Sequence, residues 1–520
     1  MARSEPTVES PGPGGGVASH KGLKPDAIGF WDGLAIGLDS TAPAYSLAAV
    51  LGSVVAIAGT QAPAILLISF VPIFLIASAF YYMNRADQDC GTTFSWVTRA
   101  MGPTLGWLGG WAVFVTGVLV IGSLADVAAL YTFELFGLDG LAESRVAVVI
   151  FAVVIILVMT LLCVIGTELS AKVQRILVLA QVAMLLIFVV AAGVRLATGT
   201  APEGSITPSL SWLSPVGLDS TSLISGVLIS VFIYWGWESA VNLTEESTNS
   251  ATSPGKAAVV STVVLLLTYV GVAIAMVAVV GPDLVTEYDD DSALFGAVGE
   301  VVLGPAAFLL VLAIITSGLA STQTTILPAS RTSLSMAVAG AFPKAFGRVN
   351  PKFATPAFGT WVIGISSILW YVLASLLSEE FLFDSLSALS LMIAFYYGLT
   401  GIACAIYWRR RLTHSVKAFL FIGLGPTIGA LMLFYLLVQS VIQLADPEES
   451  YTGTSIFGIG MPLAIALFFT ILGVVLMIIW RLGPGKSFFT RRGGEQVPDE
   501  VALAALGPTA PEVGARRSSE

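Results

Sequence analysis

Charge is what this sequence has least of. Only 11% of its 520 residues are Asp, Glu, Lys or Arg, against 56% hydrophobic, and its mean hydropathy is +0.88. Soluble domains carry about 25% charged residues, so this composition excludes a water-surrounded globule and implies many spans of roughly 20 apolar residues. Histidine is nearly absent. His20 and His414 both lie outside apolar stretches, which excludes a histidine relay within the membrane. The three cysteines, Cys90, Cys163 and Cys404, stand isolated, with neither metal-ligand spacing nor a disulfide framework. No resident cofactor or metal centre is expected. A phosphate-cradling GxxxxGK[ST] loop is missing, which argues against an ATP-driven pump within this chain. The spans hold no convergent Ser/His or Cys/His set, which argues against a polytopic membrane enzyme. Nothing suggests nucleic acid as a partner; the lipid bilayer is the expected surroundings.

What is present is about twelve apolar spans, from one centred near Ala44 to one near Phe468. Loops after even-numbered spans carry Arg85, Arg99, Lys172, Arg175, Lys256, Arg331, Lys344, Arg348, Lys352, Arg409, Arg410, Arg411 and Lys417. Loops after odd-numbered spans carry only Arg145 and Arg195, and otherwise Asp283, Glu287, Asp289, Asp290, Asp291, Glu379, Glu380, Asp446, Glu448 and Glu449. Lys and Arg bias orients membrane proteins, so the even-side loops and both termini are expected in the cytoplasm, with the chain in the cytoplasmic membrane. The expected domains are a disordered tail over 1–26, a transmembrane unit over 27–481 and a second disordered tail over 482–520. Between Arg85 and Gly102, Phe94, Trp96, Val97 and Met101 suggest a short interfacial helix or, the reading preferred, a structured connector. Gly102, Gly106 and Gly110 recur at a spacing that permits close helix contact.

Two spans are interrupted at their middles. The first contains Gly37-Leu38-Asp39-Ser40-Thr41-Ala42-Pro43, and the sixth contains Tyr234-Trp235-Gly236-Trp237-Glu238. Such breaks persist only where they face protein or a water-filled cavity. A matched pair in two halves of a chain is the best sequence pointer to a solute site. The expected substrate-binding set is therefore Asp39, Ser40, Thr41, Ala42, Phe232, Tyr234, Trp235 and Gly236. Asp39 reads either as a cap for the following half-helix, where Pro43 suits the first turn, or as the partner of a substrate amine or coupling cation. Glu238, a carboxylate at mid-membrane, reads as a protonatable gate or as a hydrogen-bond acceptor for freed backbone amides. Asp126 is the next acid without an evident partner. Ser321 and Thr322, with Ser317 and Thr324, offer hydroxyl oxygens to a sodium ion or simple interhelical hydrogen bonds. Glu168 and Lys172 form an i,i+4 pair. Glu245 and Glu246 read as structural partners of loop cations.

The segments around Gly91, Trp96, Gly102, Pro103, Gly106 and Trp111, around Phe232, Tyr234, Gly236, Glu238, Glu246 and Asn249, and around Ser330, Arg331, Gly340, Pro343, Phe346 and Pro356 resemble, in order, those of the amino acid–polyamine–organocation superfamily. The resemblance implies two inverted five-helix repeats, about 27–198 and 219–410, with helices one and six discontinuous and two extra helices over 416–481. It implies alternating access around a central site for a small molecule, an amino acid or related amine, coupled to sodium or protons. Two positions depart from the family pattern. Thr41-Ala42-Pro43 stands where a Gly-Ser-Gly-like turn binds a substrate carboxylate, and Pro43 lacks an N–H. Gln181 stands where many relatives place a lysine that does the work of a sodium ion. A polyamine or organic-cation carrier or exchanger remains an open alternative, and a channel a more distant one.

Overall fold

The computed structural model describes residues 21–285, 291–378 and 380–506. The expectations placed on residues 1–20, on Glu287, Asp289, Asp290 and Glu379, and on 507–520 lie outside these residues, as do the side chains of Asp283 and Asp291. The chain is almost entirely helical: α1 (Phe30–Ser40), α2 (Pro43–Ala58), α3 (Ala62–Ala86), α4 (Thr93–Met101), α5 (Pro103–Leu135), α6 (Asp139–Ala142), α7 (Arg145–Ile165), α8 (Thr167–Thr198), α9 (Ser220–Ser230), α10 (Ser239–Asn242), α11 (Ser253–Val285), α12 (Asp291–Leu303), α13 (Phe308–Val338), α14 (Ala357–Leu377), α15 (Glu380–Tyr407), α16 (Val416–Ala418), α17 (Gly425–Leu444), α18 (Met461–Leu482), α19 (Lys486–Phe489) and α20 (Asp499–Leu506). Among the described residues, eleven apolar segments are long enough to cross a membrane. The first, Phe30–Ala86, runs for 57 residues and comprises α1 to α3. α1 and α2 together make one broken crossing and the 25-residue α3 makes a second, which gives the twelve expected.

Outward faces are apolar. On α7, Val146, Ile150, Val154, Leu157 and Leu161 are all exposed, at the spacing of one helical stripe, as lipid contact requires. Inward, small residues let backbones approach. Gly110 sits against Met336, Gly117 against Ala329, and a Cβ on Gly318 would stand 2.8 Å from the Leu124 carbonyl oxygen. The sides of α5 and α13 are thereby drawn together. Gly106 instead seats Thr98 of α4. That helix forms where the sequence suggested, as the structured connector rather than an interfacial helix: Phe94, Trp96 and Val97 are buried, because α4 folds back onto the bundle.

The end of the bundle that carries Arg85, Arg99 and Arg331, here the basic end, is tightly closed. Ile28 donates its N–H to Glu246 O and accepts from Thr248 N, both at 2.9 Å, pinning the entry to α1 onto the segment after α10. Arg331 and Glu246, both without exposure, form a paired contact of 3.0 and 3.1 Å, and Arg331 reaches Thr167 at 3.0 Å. Lys21, expected as a tail charge, is instead buried, with Nζ 2.6 Å from Glu245 and 2.9 Å from Asp89. Burial works against its charge, but the Cys90, Asp89 and Glu245 groups around it hold the ammonium well above the usual lysine value. Burial also opposes ionisation of Asp89, yet Lys21, Ser335 and the Gly91 N–H bring its carboxyl down to about 2. Glu245 and Glu246 are thus ion-paired, as expected. Glu168 meets Lys24 at 2.8 Å, and its helical neighbour Lys172 is a weaker electrostatic neighbour.

The stretch from residue 482, read from composition as disordered, is ordered through Leu506. Phe488 and Val497 are buried, and Gly493 lies so close to Gly102 that a Cβ would stand 2.4 Å from its nitrogen. Proline and glycine content suggested a solvated tail, whereas a few apolar anchors and main-chain hydrogen bonds hold the segment on the bundle.

Candidate functional site

The two breaks meet backbone to backbone. α1 stops at Ser40 and α2 starts at Pro43, with Ala42 between them at φ 48°, the left-handed region. In the sixth span, α9 gives way to a 3₁₀ turn over Val231–Tyr234, an extended Trp235, and Gly236 at φ +121°. A Cβ on Gly236 would stand 2.4 Å from the Ser40 carbonyl oxygen. Glycine is therefore required twice, for its dihedral and for the approach. Ser40 and Ser239 share a 2.7 Å hydrogen bond, and Ser321 of α13 donates to Ser40 O at 3.1 Å. Three spans are joined at one residue.

Beside this junction is a narrow cavity lined by Ser40, by Val113, Thr116 and Gly117 of α5, by Trp235, Glu238 and Ser239, by Thr325 and Pro328 of α13, and by Tyr396 of α15. Glu238 is the single charged side chain of that lining. It has no basic partner among the described residues. Its carboxylate accepts from the Tyr396 and Tyr397 hydroxyls at 2.5 Å each and from Gly236 N at 3.2 Å. Trp235 donates its indole N–H to the Tyr396 hydroxyl. Thr325 is buried, and its hydroxyl has no partner among the described residues. A carboxylate neutralised by no cation in a low-dielectric interior is costly. The cavity therefore presents one carboxyl group and several hydroxyls, including an uncommitted one, to a polar neighbour.

Of the expected site residues, Ser40, Trp235 and Glu238 line the cavity, and Gly236 shapes it. Thr41 and Ala42 form the turn itself; the Thr41 hydroxyl donates to Leu38 O at 2.6 Å. Tyr234 does not enclose the cavity. Its hydroxyl donates to Leu66 O and its ring packs on Tyr269 at 4.9 Å, because the 3₁₀ turn rotates it into the α3–α11 interface. Phe232, on the same turn, packs against the core outside the lining. Asp39 does not cap α2; its carboxylate accepts from Gln181 of α8, and its second oxygen has no partner among the described residues. Asp126 is not without a partner. It pairs with Arg145 at 2.6 Å and accepts from Tyr371. Thr322 returns its hydroxyl to Gly318 O. Sequence reasoning missed Thr116, Thr325, Tyr396 and Tyr397. The tyrosine pair was the available signal, since two adjacent phenols in an apolar span need a polar partner.

Comparison with known proteins bears on the fold and the family. A solved structure of a mutant manganese transporter from Eremococcus coleocola superposes with a TM-score of 0.54 at 14% identity, over 93% of this chain and 98% of that one; it shares the fold. Among curated proteins, cationic amino acid transporter 3, mitochondrial, of Arabidopsis thaliana is 26% identical over 57% of this chain and 50% of its own length. The branched-chain amino acid permease BcaP of Lactococcus lactis is 25% identical over 63% of this chain and 70% of its own. The D-serine/D-alanine/glycine transporter of Escherichia coli O6:H1 is 23% identical over 76% and 83%. The chain spans about half the length of the first of these relatives. A family model described as amino acid permease matches residues 36–484, and on that match the chain belongs to the amino acid permease family.

Proposed function

We propose that this protein is a secondary transporter that moves an amino acid or a related amine across the cytoplasmic membrane by alternating access, with the basic end and both termini in the cytoplasm. The observation that carries the reading is Glu238 at the junction of two broken spans, held by two tyrosines and facing a cavity with no basic lining residue. An ammonium group is the natural complement of that carboxylate. The positive pole of α2, which begins three residues beyond Ser40, favours the anionic end of a zwitterion. The inverted repeats implied by the family resemblance agree with breaks in the first and sixth spans. A second buried carboxylate, Asp39, which accepts a hydrogen bond from Gln181 and leaves one oxygen uncommitted, supports coupling to a co-moving sodium ion or proton.

The same lack of a basic lining residue favours one further reading, a polyamine or organic-cation carrier. Purified protein is screened by thermal shift against amino acids, simple amines and polyamines, with and without sodium. Hits are then followed by uptake into proteoliposomes under imposed sodium or proton gradients. Stabilisation by amino acids together with gradient-driven uptake is the expected result. Stabilisation by amines lacking a carboxylate, but not by amino acids, selects the second reading. Folded protein that takes up neither class under either gradient overturns both.

A further inference from the structure

The ordered segment after α18 crosses the basic end in a way that no substrate contact requires. It first grips α4. Phe488 stacks on Phe94 at 5.7 Å, and Gly494 N and Glu495 N donate to Ala100 O and Arg99 O, both at 3.0 Å. It then reaches the ends of three spans. Val497 N donates to Tyr407 O of α15 at 3.1 Å, Arg491 donates to Ala339 O just past α13 at 2.9 Å, and Arg85 at the end of α3 donates to Ala504 O at 3.3 Å. Arg409 closes the set by donating to Gly494 O at 2.9 Å. Main-chain hydrogen bonds fix spacing more strictly than side-chain contacts do, because they leave little freedom of geometry.

The helix gripped most firmly, α4, is one jaw of the closed end. It starts just after Asp89 and Cys90, which sit with Lys21 and Glu245 in the buried ion cluster. Its Ser95 hydroxyl lies 3.1 Å from that of Ser335 on α13. The ion cluster of Lys21, Asp89 and Glu245 and the ends of α3, α4, α13 and α15 all lie at this closed end. The strap spans all four.

We propose that residues 483–506 form a strap that stabilises the closed state of the cytoplasmic end, so that releasing it raises the fraction of molecules open to the cytoplasm. The proposal rests on the alternating-access reading above. A contact made in one state and lost in the other shifts the population by its differential free energy.

Cys90 provides a native reporter. Its thiol is fully buried beneath Lys21, and burial pushes it up, away from the reactive thiolate. In a full-length chain with Cys163→Ser and Cys404→Ser, maleimide labelling of Cys90 is timed without substrate, so the result is independent of whether the transported solute has been identified correctly. Gly493→Val displaces the strap by geometry, since its Cβ cannot coexist with Gly102 N at 2.4 Å. Arg409→Ala, at an exposed position, removes the clamp on Gly494 without touching the core. Labelling about tenfold faster in Gly493→Val, equivalent to about 1.4 kcal/mol, and faster by a smaller factor in Arg409→Ala, with thermal unfolding still cooperative, is the expected result. Unchanged or slower labelling in Gly493→Val overturns the proposal. If that variant does not fold, unchanged labelling in Arg409→Ala overturns it instead.

Discussion

Breaking the Arg331–Glu246 pair tests how the basic end is held. Both side chains are fully buried, Arg331 Nε and Nη2 meet the two carboxylate oxygens at 3.0 and 3.1 Å, and the remaining donors go to Thr167 and Ser330. Glu246→Gln leaves a guanidinium in a site that water does not reach. Removing one partner of a buried pair costs about 3–5 kcal/mol. The amide oxygen of Gln still accepts one hydrogen bond, so the lower end of that range is expected. Arg331→Met strands the carboxylate on the Thr167 hydroxyl alone and falls in the same range. Replacing both, with Glu246→Leu and Arg331→Met, removes both buried charges, and Glu246→Leu alone is the matching single variant, with Glu246→Gln compared beside it. Because apolar replacements of whole pairs are often neutral, the double variant should be more stable than either single one. The measurement is a double-mutant cycle on chemical or thermal unfolding of purified protein. A Glu246→Gln cost under about 1 kcal/mol, or a double variant less stable than both singles, refutes the argument that desolvated charge dominates here.

Three further outcomes follow from the geometry. Gly236→Ala meets the Ser40 carbonyl oxygen at 2.4 Å with φ at +121°; a loss of about 1–3 kcal/mol is expected from the dihedral alone, and substrate-dependent thermal shift should vanish, whereas an unchanged unfolding midpoint counts against the backbone contact. Burial raises the Asp87 carboxyl to about 7 against the pull of Arg99, so the folded state holds a proton that the unfolded state releases above about 4; stability should fall as pH rises from about 4 to 7, and Asp87→Asn should flatten that slope when unfolding is compared at about pH 5 and about pH 8. Tyr396→Phe removes one hydrogen bond to the Glu238 carboxylate, worth about 1.5–3 kcal/mol for a charged acceptor; isothermal titration with the best substrate from the screen should show a changed affinity, and affinity unchanged from the parent protein in both Tyr396→Phe and Glu238→Gln would separate this cluster from the substrate.

The sequence made legible what is local. Span number follows from runs of apolar residues, and the two breaks follow from Pro43, Gly236 and the carboxylates beside them, because a bilayer tolerates freed backbone only at protected places. Glu238 was visible as a mid-membrane acid for the same reason. What stayed hidden depends on which helices become neighbours. Asp39 and Gln181 each stand out alone, as an acid at a break and as a departure from a family lysine, yet nothing local says that α1 and α8 bring the two into a hydrogen bond. Asp126 looked unpaired because Arg145 lies beyond the helical i,i+4 reach of its span and Tyr371 comes from α14. Tyr234 was misplaced by a rotation: a 3₁₀ turn advances side chains by a different angle from an α-helix, and its ring faces α11 rather than the cavity.

The tail after α18 departs from its composition for a different reason. Composition reports whether a segment can bury enough apolar surface to fold alone, and this one cannot. It folds because the bundle presents Ala100 O, Arg99 O and Tyr407 O as acceptors, and because Gly493 and Gly102 carry no side chains that would keep the two backbones apart. Its order is borrowed from the helices it crosses, so it should be lost before theirs. Hydrogen exchange should therefore find the amides of Gly494, Glu495 and Val497 exchanging faster than those within α5 or α13, while slower than in the isolated peptide. Equal protection of the strap and α5 would mean that the segment is part of the bundle's cooperative core and cannot move independently of it.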